Sequence, residues 1–364
     1  MISRHRTLYH YVTREFLKVL GLSLSSLILI YVVVLFLQKM TSIHKYDAPY
    51  YLIFEYLLYR LPEVTFTWTL PYAVLLSILL TLGNLSRHSE ITALKAGGIS
   101  IYRITLPLFS IVFLISLVNF LGNEYFVPYT FQKSRYVWDV KIKKEKPSSF
   151  FKNFKIWYRS DQRLYNIQLL DPQAKVLKGF TLYKCDDQFR CTERIDAREV
   201  KWINGEWRFV DGAVRKLAED GSLQIIPFKE MTFPMDETWE SFQKTQRDSA
   251  EMSYTDLRTY IQKIQASGYD ATRYLVGLHS KLSLPLLNLI MVLIGIPFAL
   301  RTSRSGGVAL SVGISVMIGF IFGVTYYVFI SIGKTGVLPP FLSAWTPTVL
   351  FGLAGIFTLM SIRQ

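Results

Sequence analysis

Six runs of about twenty or more apolar residues constrain this chain most, because a helix of that length crosses the ~30 Å hydrocarbon core of a bilayer. They cover residues 16–37, 64–85, 101–122, 275–300, 306–332 and 340–362. Hydrophobic residues make up 51% of the 364 residues, and the mean hydropathy is +0.26, so the chain reads as a multi-pass membrane protein. Ahead of the second run, YYLIFEYLLYRLPE is amphipathic and meets Pro62, which reads as an interfacial helix with a proline stop.

Charge then sets the orientation. The net charge is +14, and in a membrane protein basic residues gather on the cytoplasmic side. Placing the N-terminus inside puts Arg4, Arg6, Arg14, Lys18, Arg87, Lys95, Arg103, Arg301, Arg304 and Arg363 in the cytoplasm. Lys39, Lys45, Arg60 and Lys334 are left in the short outer loops. Both termini are therefore expected inside, and by parity the long segment after the third run lies outside. No basic stripe with interleaved aromatics on a soluble fold points to nucleic acid. The basic start precedes an apolar run too long for a signal-peptide core, and it lacks a small-residue cleavage site.

The outer segment, 124–274, has a different texture. KIWYRS, RLYNIQLL, GFTLYKC, RCTERIDAREVKWI, EWRFVDGAVRKL and LQIIPF alternate apolar with polar between turn signals at Asp171-Pro172, Asn204-Gly205 and Asp220-Gly221. Strands at this spacing suggest a β-sandwich or jellyroll inserted between two membrane regions, 1–123 and 275–364. A helical stretch closes it, with Ser253 as the cap and Gly268 as the stop. The only two cysteines, Cys185 and Cys191, flank a polar turn; they read either as a disulfide across a hairpin or as two unpaired thiols.

Catalytic patterns are missing from the sequence: there is no HExxH and no GxSxG. SIGKTG looks like the end of a phosphate-binding loop, but that pattern needs glycine at position 328, which is Val328. The remaining puzzle is a polar island at 86–98, RHSEITALKAGG with Ser86 before it, between the second and third runs. Ser86 or Ser89 is placed to cap a short helix, Glu90 suits its first turn, and Gly97-Gly98 ends it. Ile91, Leu94 and Ile99 supply a small apolar face. Such an element reads either as a plug for a groove on another protein or as an ordinary capped connector.

TLGNLSRHSEITALKAGGISIYRI resembles the coupling segment of the LptF/LptG (YjgP/YjgQ) permeases of lipopolysaccharide export. YHYVTREFLK, YRLPE with LPYAVLLSILLTLG, MSYTDLRTYIQKIQASGYDATRY, HSKLSLPLLNLIMVLIGIPFALR and LPPFLSAWTPTVLFGLAG agree in order along the chain. The blocks after the β segment are more similar to LptG than to LptF. The resemblance implies six membrane helices with an inserted periplasmic β-jellyroll, in the bacterial inner membrane. It implies a heterodimer with an LptF-like subunit on a dimer of the ATPase LptB, passing lipid to LptC and LptA. ATP and Mg²⁺ then belong to the ATPase, and this chain is expected to bind no cofactor and to catalyse nothing itself.

In the family the glutamate of the coupling helix is a key contact, and Glu90 occupies that position. Helix geometry adds Arg87, Ile91, Leu94 and Lys95 as expected interface residues. Basic residues at the outer ends of the first and third helices contact the lipid's anionic head in the family, which implies Lys39 and Arg135, with Lys133 beside it. Snorkelling at the interface is the plainer account of each. An apolar wall for acyl chains is expected from Val32, Leu35 and Phe36 on the first helix and Phe320 and Val324 on the fifth. Gly319 and Gly323 permit close helix approach, either to a partner subunit or within the chain. A membrane-anchored scaffold or sensor, with a β domain binding a periplasmic partner, is the competing reading; it needs neither ATPase nor lipid.

Overall fold

The computed structural model describes residues 2–144, 149–152, 155–160, 163–171, 175–185, 191–203, 205–217, 223–235, 239, 249–266, 270–302 and 308–361. Two compact units emerge. One joins Met1–Trp138, Ser249–Ile261 and Asp270–Gln364; the other holds Asp139–Asp248 and Gln262–Tyr269. Gly268, Asp220-Gly221, Arg304 and Arg363, singled out above, lie outside the described residues.

Among the described residues six helices are long and apolar enough to cross a membrane: Thr7–Ser42, Tyr51–Arg87, Ile101–Ile142, Thr272–Leu300, Ala309–Lys334 and Pro340–Met360. All six expected spans are present, and this is an α-helical membrane protein with an inserted β domain. The first span lies within α1 (Ile2–Lys45). α2 (Tyr51–Glu63), a π-helical turn (Val64–Thr69) and α3 (Leu70–Arg87) run on as the second. The island is α4 (Glu90–Ala96). α5 (Ile101–Leu121), a second π turn (Gly122–Phe126) and α6 (Val127–Tyr136) form the third, extended by a further π turn at Val137–Ile142. α7 (Tyr254–Ala266) precedes α8 (Thr272–Thr302), α9 (Val308–Lys334) and α10 (Pro340–Met360).

The expected stop at Pro62 does not occur. The α-helix runs through Pro62 to Glu63 and continues as a π turn at Val64–Thr69 into α3. In the third span a π turn at Gly122–Phe126 precedes Pro128, and the helix likewise runs on through that proline. The first two π turns pack on each other. The Thr67 hydroxyl donates to the Asn123 side-chain oxygen Oδ1 at 3.0 Å, and the Asn123 side-chain Nδ2 donates to the Phe66 backbone carbonyl at 3.4 Å. A Cβ on Gly122 would come within 2.9 Å of the Phe66 ring, so only glycine lets the two turns approach this closely.

The core of this unit is apolar from Val12 and Phe16 of α1 through Leu75, Ile78 and Leu82 of α3 to Met291 and Val292 of α8. Gly319 and Gly323 face Tyr72 of α3; a Cβ on Gly319 would lie 2.8 Å from its ring. Their packing is therefore within the chain. By contrast, only 11% of the apolar window of the first span is buried, and Leu22, Leu29, Ile30 and Leu37 stand exposed. Ser253 caps α7 as expected: its hydroxyl accepts from the Asp256 amide at 3.0 Å. Glu124 of the third span accepts from Thr255 at the same helix end.

Among its described residues the second unit carries seven antiparallel strands: β1 (Ser149–Lys152), β2 (Lys155–Ser160), β3 (Arg163–Asp171), β4 (Val176–Cys185), β5 (Cys191–Ile203), β6 (Glu206–Leu217) and β7 (Leu223–Thr232). Each pairs with the next, in the order β1 to β7. The β domain is thus present, and its described strands run as a meander; the Greek-key crossovers of a full jellyroll are not among the described pairings. Short turns between consecutive strands favour that sequential pairing. One face buries Tyr165, Ile167, Phe180, Ile195, Trp207 and Phe209. Cys185 and Cys191 are backbone partners beside a bulge at the β4–β5 hairpin; their side chains lie outside the described residues.

Candidate functional site

The island is built to stay rigid with few residues. Seven helical residues cannot hold a helix alone, so tertiary contacts must do so. Ile91, at 5% exposure, joins the membrane-unit core, and Leu94 and Ile99 pack against it. The C-terminal end is a Schellman motif: Gly98 donates to the Lys95 carbonyl at 2.9 Å and Ile99 to the Leu94 carbonyl at 3.0 Å. Gly98 sits at φ +79°, where a side chain is strained. The start differs from expectation. Ser89 is the N-cap but lies in the left-handed region at φ 61° and makes no side-chain cap bond. Its carbonyl still accepts from Ala93 at 2.9 Å.

Anchoring inward decides what points outward. Ile91, expected at a partner surface, is buried in its own chain and serves as the anchor; Leu94 is half-buried for the same reason. Arg87 and Lys95 are exposed. Glu90 is half-buried, and the Tyr11 hydroxyl of α1 donates to its two carboxylate oxygens at 3.0 and 3.3 Å. The island carboxylate is thereby tied to the first membrane helix. Nothing local in the sequence signals this contact, because the residues are 79 positions apart.

At the other end of α1, Lys39 is half-buried over the Trp138 ring at 4.0 Å and near the Tyr56 ring at 6.0 Å. Those rings lie 5.1 Å apart, so they form an aromatic cradle for the ammonium. Arg135 differs from expectation: it is ion-paired with Glu251, whose side chain is only 5% exposed. Gln132 holds the Glu251 carbonyl at 2.9 Å. Arg135 is thus committed to an internal pair, while the neighbouring Lys133 is exposed, 5.8 Å from the Tyr129 ring. Of the expected apolar wall, Phe320 (69%) and Val324 (47%) are exposed and Val32 and Phe36 are half-buried. Leu35 is a correction: it is buried within the chain, and the exposed stripe of α1 runs through Val33, Val34 and Leu37. Among the described residues no His, Cys, Asp and Glu group could hold a metal ion.

Comparison with known proteins agrees with this layout. The chain is 24% identical to the lipopolysaccharide export system permease protein LptG of Haemophilus influenzae, across 98% of this chain and 99% of that one. It is 22% identical to the LptG protein of Escherichia coli, across 80% of each. The sequence model described as "Lipopolysaccharide export system permease LptF/LptG" matches residues 10–361. With six spans, an inserted β domain and a match over nearly its whole length, the chain belongs to the LptF/LptG family.

Proposed function

We propose that this chain is the LptG-like membrane subunit of an ABC-type exporter that extracts lipopolysaccharide from the bacterial inner membrane. It pairs with an LptF-like subunit, rests on an LptB ATPase dimer and hands lipid to LptC and LptA. ATP and Mg²⁺ are bound in LptB, and this chain contributes movement rather than catalysis. Its termini are cytoplasmic and its β domain is periplasmic.

The observation that carries the reading is the Tyr11–Glu90 contact. A motor gripping the island at Glu90, Arg87 and Lys95 pulls on α1 through one hydrogen-bonded link. The buried Ile91 and the half-buried Leu94 make the island and the membrane core one lever. α1 carries the half-buried Val32 and Phe36, the exposed Val33 and Leu37, and Lys39 at its far end, so movement at the island reaches a lipid-facing stripe. Phe320 and Val324 of α9 supply a second apolar surface. Lys39 and Lys133 meet the phosphates of the headgroup, and Arg135 braces the third span through Glu251. Nucleotide bias works only through a difference in lipid affinity between open and closed states. The test is a reconstituted complex with LptF and LptB in vesicles. ATP-dependent release of lipopolysaccharide to LptA supports the reading; release that proceeds equally without ATP, or none with all subunits present, contradicts it.

A further inference from the structure

Beside the second apolar run sits a mostly buried ion pair. Arg60, expected in a short outer loop, and Glu63 lie one turn apart in α2, within the second span. Their side chains are 23% and 10% exposed, and Arg60 Nε lies 3.0 Å from Glu63 Oε2. Arg60 Nε has no hydrogen-bond partner among the described residues, so this is a contact of charge without an aligned N–H. The Arg60 guanidinium also lies 4.6 Å from the centre of the Phe131 ring of α6. Ionisable groups at the edge of a bilayer core are costly to bury, which makes a pair kept there a candidate for function.

Two helices with exposed apolar surface meet this pair. From α1, the Tyr31 hydroxyl accepts from the Arg60 guanidinium, and Glu63 is within electrostatic reach of it. Tyr31 falls in the stretch of α1 between Ser23 and Leu35, in which no residue is buried. Apolar packing hardly holds that stretch, so the polar contact fixes its position. From α9, Tyr327 stacks on Trp68 at 5.4 Å and 12°, and Trp68 belongs to the π turn that directly follows Glu63. Tyr327 is also within electrostatic reach of Tyr31 and Glu63. Depth agrees. Tyr31 and Tyr327 lie about 9 and 8 Å short of the ends of their apolar runs, at ~1.5 Å per residue, and Glu63 adjoins the start of the second run. All three elements therefore meet near one bilayer surface.

We propose that Arg60 and Glu63 are positioning residues for lipid release, an intramembrane clasp that ties the loosely packed stretch of α1 and the Tyr327 face of α9 to the π turn between α2 and α3. Arg60 holds α1 through Tyr31, Glu63 keeps the guanidinium in place, and Trp68 seats α9 on the same joint. A contact of charge tolerates a change of angle, so the clasp gives as the two helices shift and re-forms behind them. An ion pair serving α2 alone is the plainer account, and it needs neither tyrosine. The consequence for release rests on the export reading above, whereas the clasp itself is a distance and is tested as one.

The test uses the full-length chain with its LptF-like partner and LptB, in vesicles. Glu63→Gln alone leaves Arg60 uncompensated and lowers Tm, so the deciding variant replaces both partners, Arg60→Met with Glu63→Leu, which keeps bulk and removes charge. Its Tm is expected to match wild type, while ATP-driven lipopolysaccharide release falls about tenfold at an unchanged ATPase rate. Tyr31→Phe keeps the ion pair and frees α1. It is expected to slow release similarly and to add nothing to the double variant. Spin labels at Val33→Cys and Val328→Cys, in a Cys185→Ser/Cys191→Ser chain, are expected to give a broader α1–α9 distance distribution in both variants. Wild-type release with an unchanged distribution, in either variant, assigns the pair to α2 alone and overturns the clasp. No ATP-driven release from the wild-type complex overturns the export reading instead, and the distance distribution then decides the clasp by itself.

Discussion

Single side chains here divide between holding the fold and facing a partner, and the two roles are separable by substitution. Tyr11→Phe keeps the ring and removes only the donor to Glu90. Losing one hydrogen bond to a charged group costs about 1.5–3 kcal/mol at most, and less at this exposed pair. The expected outcome is ATP-driven lipid release several-fold slower with Tm almost unchanged, read in the vesicle assay; release at the wild-type rate removes the link from the mechanism. Glu251→Gln acts on stability instead. It leaves Arg135 without its buried counter-charge, and a Tm drop matching roughly 1–3 kcal/mol is expected in thermal unfolding. Lys133→Ala has the opposite profile, with unchanged Tm and weaker lipid crosslinking, because it is exposed and forms no ion pair among the described residues. The polar and apolar character of these residues was plain in the sequence. Their commitments were not: Arg135 finds Glu251 across 116 positions, and no local pattern encodes that.

Among the elements, hydropathy marks where the helices lie, and packing decides how they join. Pro62 and the Gly122–Pro128 stretch carry ordinary stop signals. Packing of the two π turns on each other, through Thr67, Asn123 and the Phe66 ring, outweighs them. Gly122→Val is therefore expected to force the turns apart and cost about 1–3 kcal/mol by overpacking, seen as a lower Tm in detergent; a neutral result shows the turns are free to slide. At the island, Gly98→Ala puts a side chain at φ +79° and is expected to cost about 1–2 kcal/mol locally, read as faster amide exchange over residues 90–98. The Schellman glycine was legible from the sequence, whereas the missing Ser89 cap was not, because anchoring Ile91 sets the entry angle of α4. In the β domain, alternation revealed the strands and their turns. Register needed the pairing itself.

For the whole molecule, the count of spans and the inserted domain follow from hydropathy, because bilayer thickness fixes helix length. What hydropathy does not reveal is which apolar face meets its own chain. α1 turns most of its apolar surface outward, through Leu29, Ile30, Val33 and Leu37. The same is true of Phe320 and Val324 on α9, and such surface needs lipid or a second subunit to cover it. Between its second and third spans, the membrane unit holds a short island, α4, that is anchored by Ile91 and offers charge at Glu90, Arg87 and Lys95. The most direct measurement is copurification of the LptB ATPase with this chain and its LptF-like partner, comparing wild type with Glu90→Ala. The account predicts that the substitution leaves the two membrane subunits paired and strips away the ATPase together with ATP-driven release. Full retention of the ATPase and of transport in the Glu90→Ala complex contradicts it.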